Sequence, residues 1–142
     1  MAKRWHRYHG DLDGIHSQEF PVAAPSGDVW NAFRDVGAVD KRLARGFVTD
    51  CRLEGDDRIV TFANGLVARE VIVDVDDQAR RLSYSARSEH IAHHNASFQV
   101  FAEDEASCRV VWIADVLPNQ IAASIEAMMD QGVLAMTRTL AR

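Results

Sequence analysis

From Phe47 to Val116 the sequence keeps a period of two, interrupted only by short turns, and no other feature constrains the fold as much. FVTDCRLE and RIVTF are joined by GDD. Asn64-Gly65, a dipeptide suited to the positive φ angles of a tight hairpin, separates RIVTF from LVAREVIVDV. DDQAR leads into RLSYSAR, a His-rich connection into ASFQVFAE, and DEAS into CRVVWIADV. Connections this short join only antiparallel neighbours, so six consecutive strands form a meander. Ahead of them SQEFPVAAP reads as a seventh strand, stopped by Pro25.

Two short helices fit between the first strand and the meander. Ser26 is the N-cap candidate, Asp28 lies in the first turn, and Val29, Trp30 and Phe33 recur at helical spacing. Gly37 interrupts, and VDKRLARG offers a second helical stretch ending at Gly46. Beyond Pro118, residues Ile121, Ile125, Met128, Met129, Gly132, Val133, Met136 and Leu140 form an apolar stripe at spacings of three and four, the mark of one long amphipathic helix. The expected class is α+β: a seven-stranded curved antiparallel sheet around a long C-terminal helix, the helix-grip arrangement. The helix must bury its stripe against one sheet face. Twist makes the sheet curl around it, and the space the helix leaves unfilled is the natural ligand cavity. Residues 1–15, rich in His and aromatics but without periodicity, read as an N-terminal extension to a domain of residues 16–142.

Other function classes find little support. A net charge of -5 argues against a nucleic-acid-binding face. No apolar run is long enough to span a bilayer, the basic N-terminus lacks the apolar core of a secretory signal, and a cytoplasmic location is expected. Cys51 and Cys108 are too few for a disulfide framework and read as reduced thiols. No GxSxG elbow, GxGxxG loop or Walker pattern occurs. His90, His93 and His94 are the conspicuous cluster, but their spacing is not a helical i, i+4 pair and no neighbouring Cys or paired carboxylate completes a metal site. They read as a loop at a pocket mouth, with neither metal nor cofactor expected. His6, His9 and His16 carry less weight still.

Four segments carry a resemblance: EFPVAAPSGDVWNAFRDVG, NGLVAREVIVDVDDQARRLSY, EHIAHHNASFQVFAE, and WIADVLP before the final helix. In order and spacing the chain resembles, over residues 17–142, the START-like helix-grip superfamily also called SRPBCC. That superfamily includes START lipid-transfer domains, birch-pollen-type allergens, plant abscisic-acid receptors, and bacterial polyketide cyclases and dehydrases. The resemblance implies that Glu70 faces the pocket, with Tyr84 inward and Asn95 and Ser97 as polar positions on the next strand. The lysine that binds the hormone's carboxylate falls on Thr49, so an anion of that kind is not expected. Val60, Phe62, Ala68, Met129 and Val133 would complete an apolar lining, and His90 would stand at the mouth.

Alternation and resemblance disagree twice. Apolar content alone turns Val67, Val71 and Val73 inward, whereas the resemblance turns in Ala68, Glu70 and Ile72. On the strand after the His cluster, Ala96, Phe98 and Val100 form the apolar face, whereas the template points Asn95, Ser97 and Gln99 inward. A second copy of the chain covering Phe98, or a one-residue slip, would reconcile the latter pair. Trp112 reads as core, and Met128, Met129 and Met136 suit an adaptable wall. The first functional expectation is a binding, sequestering or transfer protein for a small hydrophobic or aromatic molecule. A cyclase- or dehydratase-like enzyme using Glu70 and a His from residues 90–94, and a protein-interaction module docking through its outer sheet face, are the alternatives.

Overall fold

Two glycines with positive φ set the register of the first half of the sheet. The computed structural model describes residues 14–141. Strands β2 (Val48–Glu54) and β3 (Asp57–Phe62) meet at the two-residue turn Gly55-Asp56, where Gly55 has φ 64 and Glu54 faces Asp57. The turn into β4 (Val67–Asp76) uses Gly65 at φ 89, while Asn64 Oδ1 accepts the Leu66 N–H. That turn sets Thr61 against Val67 and, three pairs further along, Arg58 against Glu70.

β5 (Arg81–Arg87), β6 (His93–Ala102) and β7 (Cys108–Leu117) continue the antiparallel meander, and β1 (Ile15–Val22) pairs with β7. The sheet order is β1-β7-β6-β5-β4-β3-β2. Helix α1 (Ser26–Arg34) and a π-helical turn (Val39–Leu43) lie between β1 and β2. A 3-10 turn (Asn119–Ile121) leads into α2 (Ala122–Leu140). At 1.5 Å per residue the 19 residues of α2 extend about 28 Å. This is the helix-grip fold. Among the described residues no helix is long and apolar enough to cross a membrane.

The core lies between the sheet's inner face and the helices. Phe33, Leu82 and Val110 have no solvent exposure, and Phe33 packs its ring 4.8 Å from that of Phe98. Trp30 is buried and donates from Nε1 to Asp77 Oδ1. Asp77 also receives Arg34, whose guanidinium holds the Asp77 carboxyl below the usual carboxylate range, with the Trp30 bond adding to the effect.

Three local expectations are corrected. Ser26 is the first residue of α1 rather than its cap: Pro25 occupies the cap position, and Ser26 Oγ accepts from Arg80 Nη1 at 2.6 Å. β6 starts at His93, three residues before the alternating run, so His93 and His94 belong to a strand and not to a loop. His16, given little weight above beside His6 and His9, lies within β1 and is buried. His6 and His9 lie outside the described residues.

Candidate functional site: a cavity between sheet and helix

The curled sheet and α2 enclose a cavity of about 290 Å³. Its aliphatic wall comes from Val48, Val60 and Ala68 on the sheet, and from Ile125, Met129 and Met136 on α2. Its aromatic wall is a stack. Phe98 lies 4.6 Å from Trp112 and 5.8 Å from Tyr84 between ring centroids, at interplanar angles of 25° and 13°. Trp112 donates from Nε1 to the Tyr84 hydroxyl at 3.1 Å, which locks the stack. Gly132 on α2 lets this wall come close: a Cβ there would lie 3.1 Å from the Trp112 ring and 3.4 Å from Phe47.

At the polar end stands an ion pair. Glu70 is 8% exposed and Arg58 3%, and Arg58 Nε donates to Glu70 Oε1 at 2.7 Å. Arg58 also donates from Nη1 to the Val36 carbonyl and carries its guanidinium 5.2 Å above the Tyr84 ring. Burial, with the Glu70 charge as the next cause, pushes the Tyr84 phenol well above its ordinary value, so this hydroxyl is protonated at any ordinary pH. Its oxygen accepts from Trp112 and its own proton remains a donor.

His94 lines the same cavity. The Ala86 backbone N–H donates to its Nδ1 at 2.9 Å, and since an amide nitrogen offers only a proton, the neutral ring carries its hydrogen on Nε2. Burial holds the ring's pKa below that of a free imidazole. The ladder between β5 and β6 is paired as far as Tyr84 and Ala96. Beyond it, the His94 side chain and the Ser85 Oγ bond to the His94 carbonyl take over.

The sequence model of the family described as polyketide cyclase / dehydrase and lipid transport matches residues 16–142. The chain belongs to that family. No curated protein matches it. A solution structure from Thermobifida fusca is similar at 28% identity and TM-score 0.72, covering 89% of this chain and 90% of its own. A START superfamily protein from Mycobacterium smegmatis shares the fold at 10% identity and TM-score 0.75, with coverages of 89% and 96%. Norcoclaurine synthase from Thalictrum flavum, seen with dopamine and hydroxybenzaldehyde, shares it at 18% identity and TM-score 0.65, with coverages of 89% and 83%.

Within this family member's cavity the structure brings together Val60, Phe62, Ala68, Glu70, Tyr84, His90 and Met129. Four expected residues stand elsewhere. Thr49 falls at a register shift between Val48 and Asp50, is exposed, and donates to the Thr61 carbonyl, while Val48 takes the inward place. Asn95 and Ser97 lie on the face of β6 opposite the buried Ala96, Phe98 and Val100, so the apolar alternation decides that strand and the template is off by one. Phe98 is therefore core and offers no outer docking surface. Val133 packs on the core one residue beyond the cavity-lining Gly132, a rotation of about 100° around the helix.

On β4 the outcome is the opposite. Ala68, Glu70 and Ile72 point inward and Val73 is exposed, as the resemblance implied. A register shift between Ile72 and Asp74 returns Val75 to the packed side. Sequence reasoning does not single out Arg58, puts His94 in a loop at the mouth rather than on a strand within the cavity, and reads Trp112 as core. Among the described residues no group of three or more His, Cys, Asp and Glu side chains could hold a metal ion. Cys51 and Cys108 are free thiols, both pushed above the ordinary thiol value by burial, and neither lines the cavity.

Proposed function

We propose that this protein binds a small, largely apolar molecule in the cavity, as a binding, sequestering or transfer protein. The observation that carries the reading is the cavity itself: about 290 Å³ of space walled by aliphatic and aromatic side chains and ended by one ion pair. Apolar walls supply affinity, and a few fixed polar groups supply orientation. In this reading Val60, Phe62, Ala68, Tyr84 and Met129 contact the ligand's body, Glu70 and Arg58 meet its polar end, and His90 stands at the mouth. The family's description, which includes lipid transport, supports this role. The two free thiols fit the reducing cytoplasm as the place of action.

Native mass spectrometry tests it. A small molecule carried under gentle conditions and lost on denaturation supports the binding role. A protein that carries nothing and is not stabilised thermally by any apolar compound in a screen contradicts it.

A second reading, a cyclase- or dehydratase-like enzyme, draws on one observation: His94 and Glu70, two groups capable of proton transfer, line the same cavity. Glu70→Gln abolishing turnover while sparing affinity favours the enzyme, whereas loss of affinity alone favours the binder.

A further inference from the structure

Arg58 and Glu70 are the only formally charged side chains lining the cavity among the described residues, and they are bonded to each other. Beside them in the lining stand the Tyr84 phenol, whose oxygen already accepts from Trp112, and the His94 ring, whose Nδ1 already accepts from Ala86; Ser88, His90 and Ser124 complete the polar lining. Tyr84 and His94 both keep a hydrogen to donate. The polar end therefore carries no net charge and offers donors to an incoming oxygen.

Resting on the binding role proposed above, we propose that the cavity selects uncharged ligands: an apolar, ring-containing skeleton bearing a carbonyl or hydroxyl oxygen, in preference to a carboxylate or an amine of the same shape. A carboxylate entering this site would lose its water and find its natural partner, Arg58, already engaged by Glu70. It would be left beside a second negative charge. An ammonium ion meets the mirror-image obstacle, because Glu70 is engaged and Arg58 repels it. A neutral oxygen loses far less on desolvation and needs only a donor. The ring-containing skeleton follows from the aromatic side chains in the lining, Phe47, Phe62, Tyr84, Phe98 and Trp112, which favour contact with another ring.

The pair also makes the selectivity reversible. Glu70→Gln leaves the Arg58 guanidinium without its counter-charge and converts the polar end to a cationic one, which favours anions. Arg58→Gln leaves the Glu70 carboxylate and favours cations.

The test is a binding titration with three naphthalenes of matched shape: 2-acetylnaphthalene, 2-naphthoate and 2-naphthylmethylammonium. With the unmodified protein, the ketone is expected to bind at least tenfold more tightly than either ion. In Glu70→Gln the naphthoate is expected to gain at least tenfold on the ketone, and in Arg58→Gln the ammonium to do so, with circular dichroism confirming that each variant is folded. The unmodified protein's ranking stands alone should a variant fail to fold. Naphthoate binding as tightly as the ketone, or a folded Glu70→Gln variant with an unchanged ranking, overturns the charge selectivity while leaving the cavity's binding role intact. Failure of all three compounds to bind contradicts both.

Discussion

The backbone N–H of Ala86 is held by Nδ1 of His94, a side-chain bond standing where the β5–β6 ladder has opened. Protonating Nδ1 removes the acceptor, and burial already disfavours the charged ring. The folded-state pKa lies below the unfolded value of about 6.5, so between the two the unfolded chain binds more protons and stability falls as pH falls. Melting temperature is expected to decline from pH 7.5 toward pH 5. In His94→Asn, whose amide oxygen can replace Nδ1 as acceptor without titrating, the decline should be shallower. An equal decline in both proteins would remove His94 as the cause.

Replacing Gly132 by Ala sets two effects against each other. Ala is favoured over Gly in a helix interior by about 1 kcal/mol. The new Cβ, however, would meet Trp112 at 3.1 Å, and that ring is held by its Phe98 stack and its Tyr84 bond. Overpacking of this kind costs about 1–3 kcal/mol. A net loss of about 1 kcal/mol in chemical denaturation is expected, together with weaker ligand binding. Net stabilisation would mean that Trp112 yields freely.

Removing one member of the Arg58–Glu70 pair leaves the other buried and uncompensated, with an expected loss of about 3 kcal/mol. Arg58→Leu combined with Glu70→Leu should be more stable than either single variant, because both desolvation penalties disappear together. Urea denaturation of the three variants reads this directly. Additive losses would contradict it.

Tyr84→Phe leaves the Trp112 indole N–H without its buried acceptor. A loss of about 1–2 kcal/mol is expected, with a shift in tryptophan emission from the changed indole environment. Unchanged stability and emission would show that the bond contributes nothing in solution.

Much of this architecture is legible from turn chemistry and alternation. The Asn64-Gly65 turn already implies the Arg58–Glu70 pair: it centres the hairpin on residue 64 and so sets 58 against 70. A strand taken by itself leaves open whether Glu70 meets an Arg and which one; counting pairs from the turn gives Arg58. Alternation alone orients β6 correctly, since Ala96, Phe98 and Val100 are all large or apolar enough to demand the core. It fails on β4, where valines flank a polar inward residue and a register shift at Ile72/Asp74 breaks the period. There a partner charge on the neighbouring strand, invisible to a one-strand pattern, makes an inward Glu70 tolerable. Thr49 is equally hidden from a one-strand pattern, because a single irregularity beside Val48 moves it off the inner face. The role of His94 depends on where the β5–β6 ladder ends, which tertiary curvature decides and local sequence does not mark.

The claim at the centre of this account is that the space between sheet and α2 holds a ligand. The most direct measurement is an amide NMR titration of the protein with a panel of neutral apolar compounds, including 2-acetylnaphthalene and 2-naphthol. The account predicts saturable shifts concentrated at cavity-lining positions such as Ala86, Phe98, Met129 and Gly132, with the outer-face residues Asn95 and Ser97 little changed. No saturable shift with any compound, or shifts confined to the outer face, would contradict it.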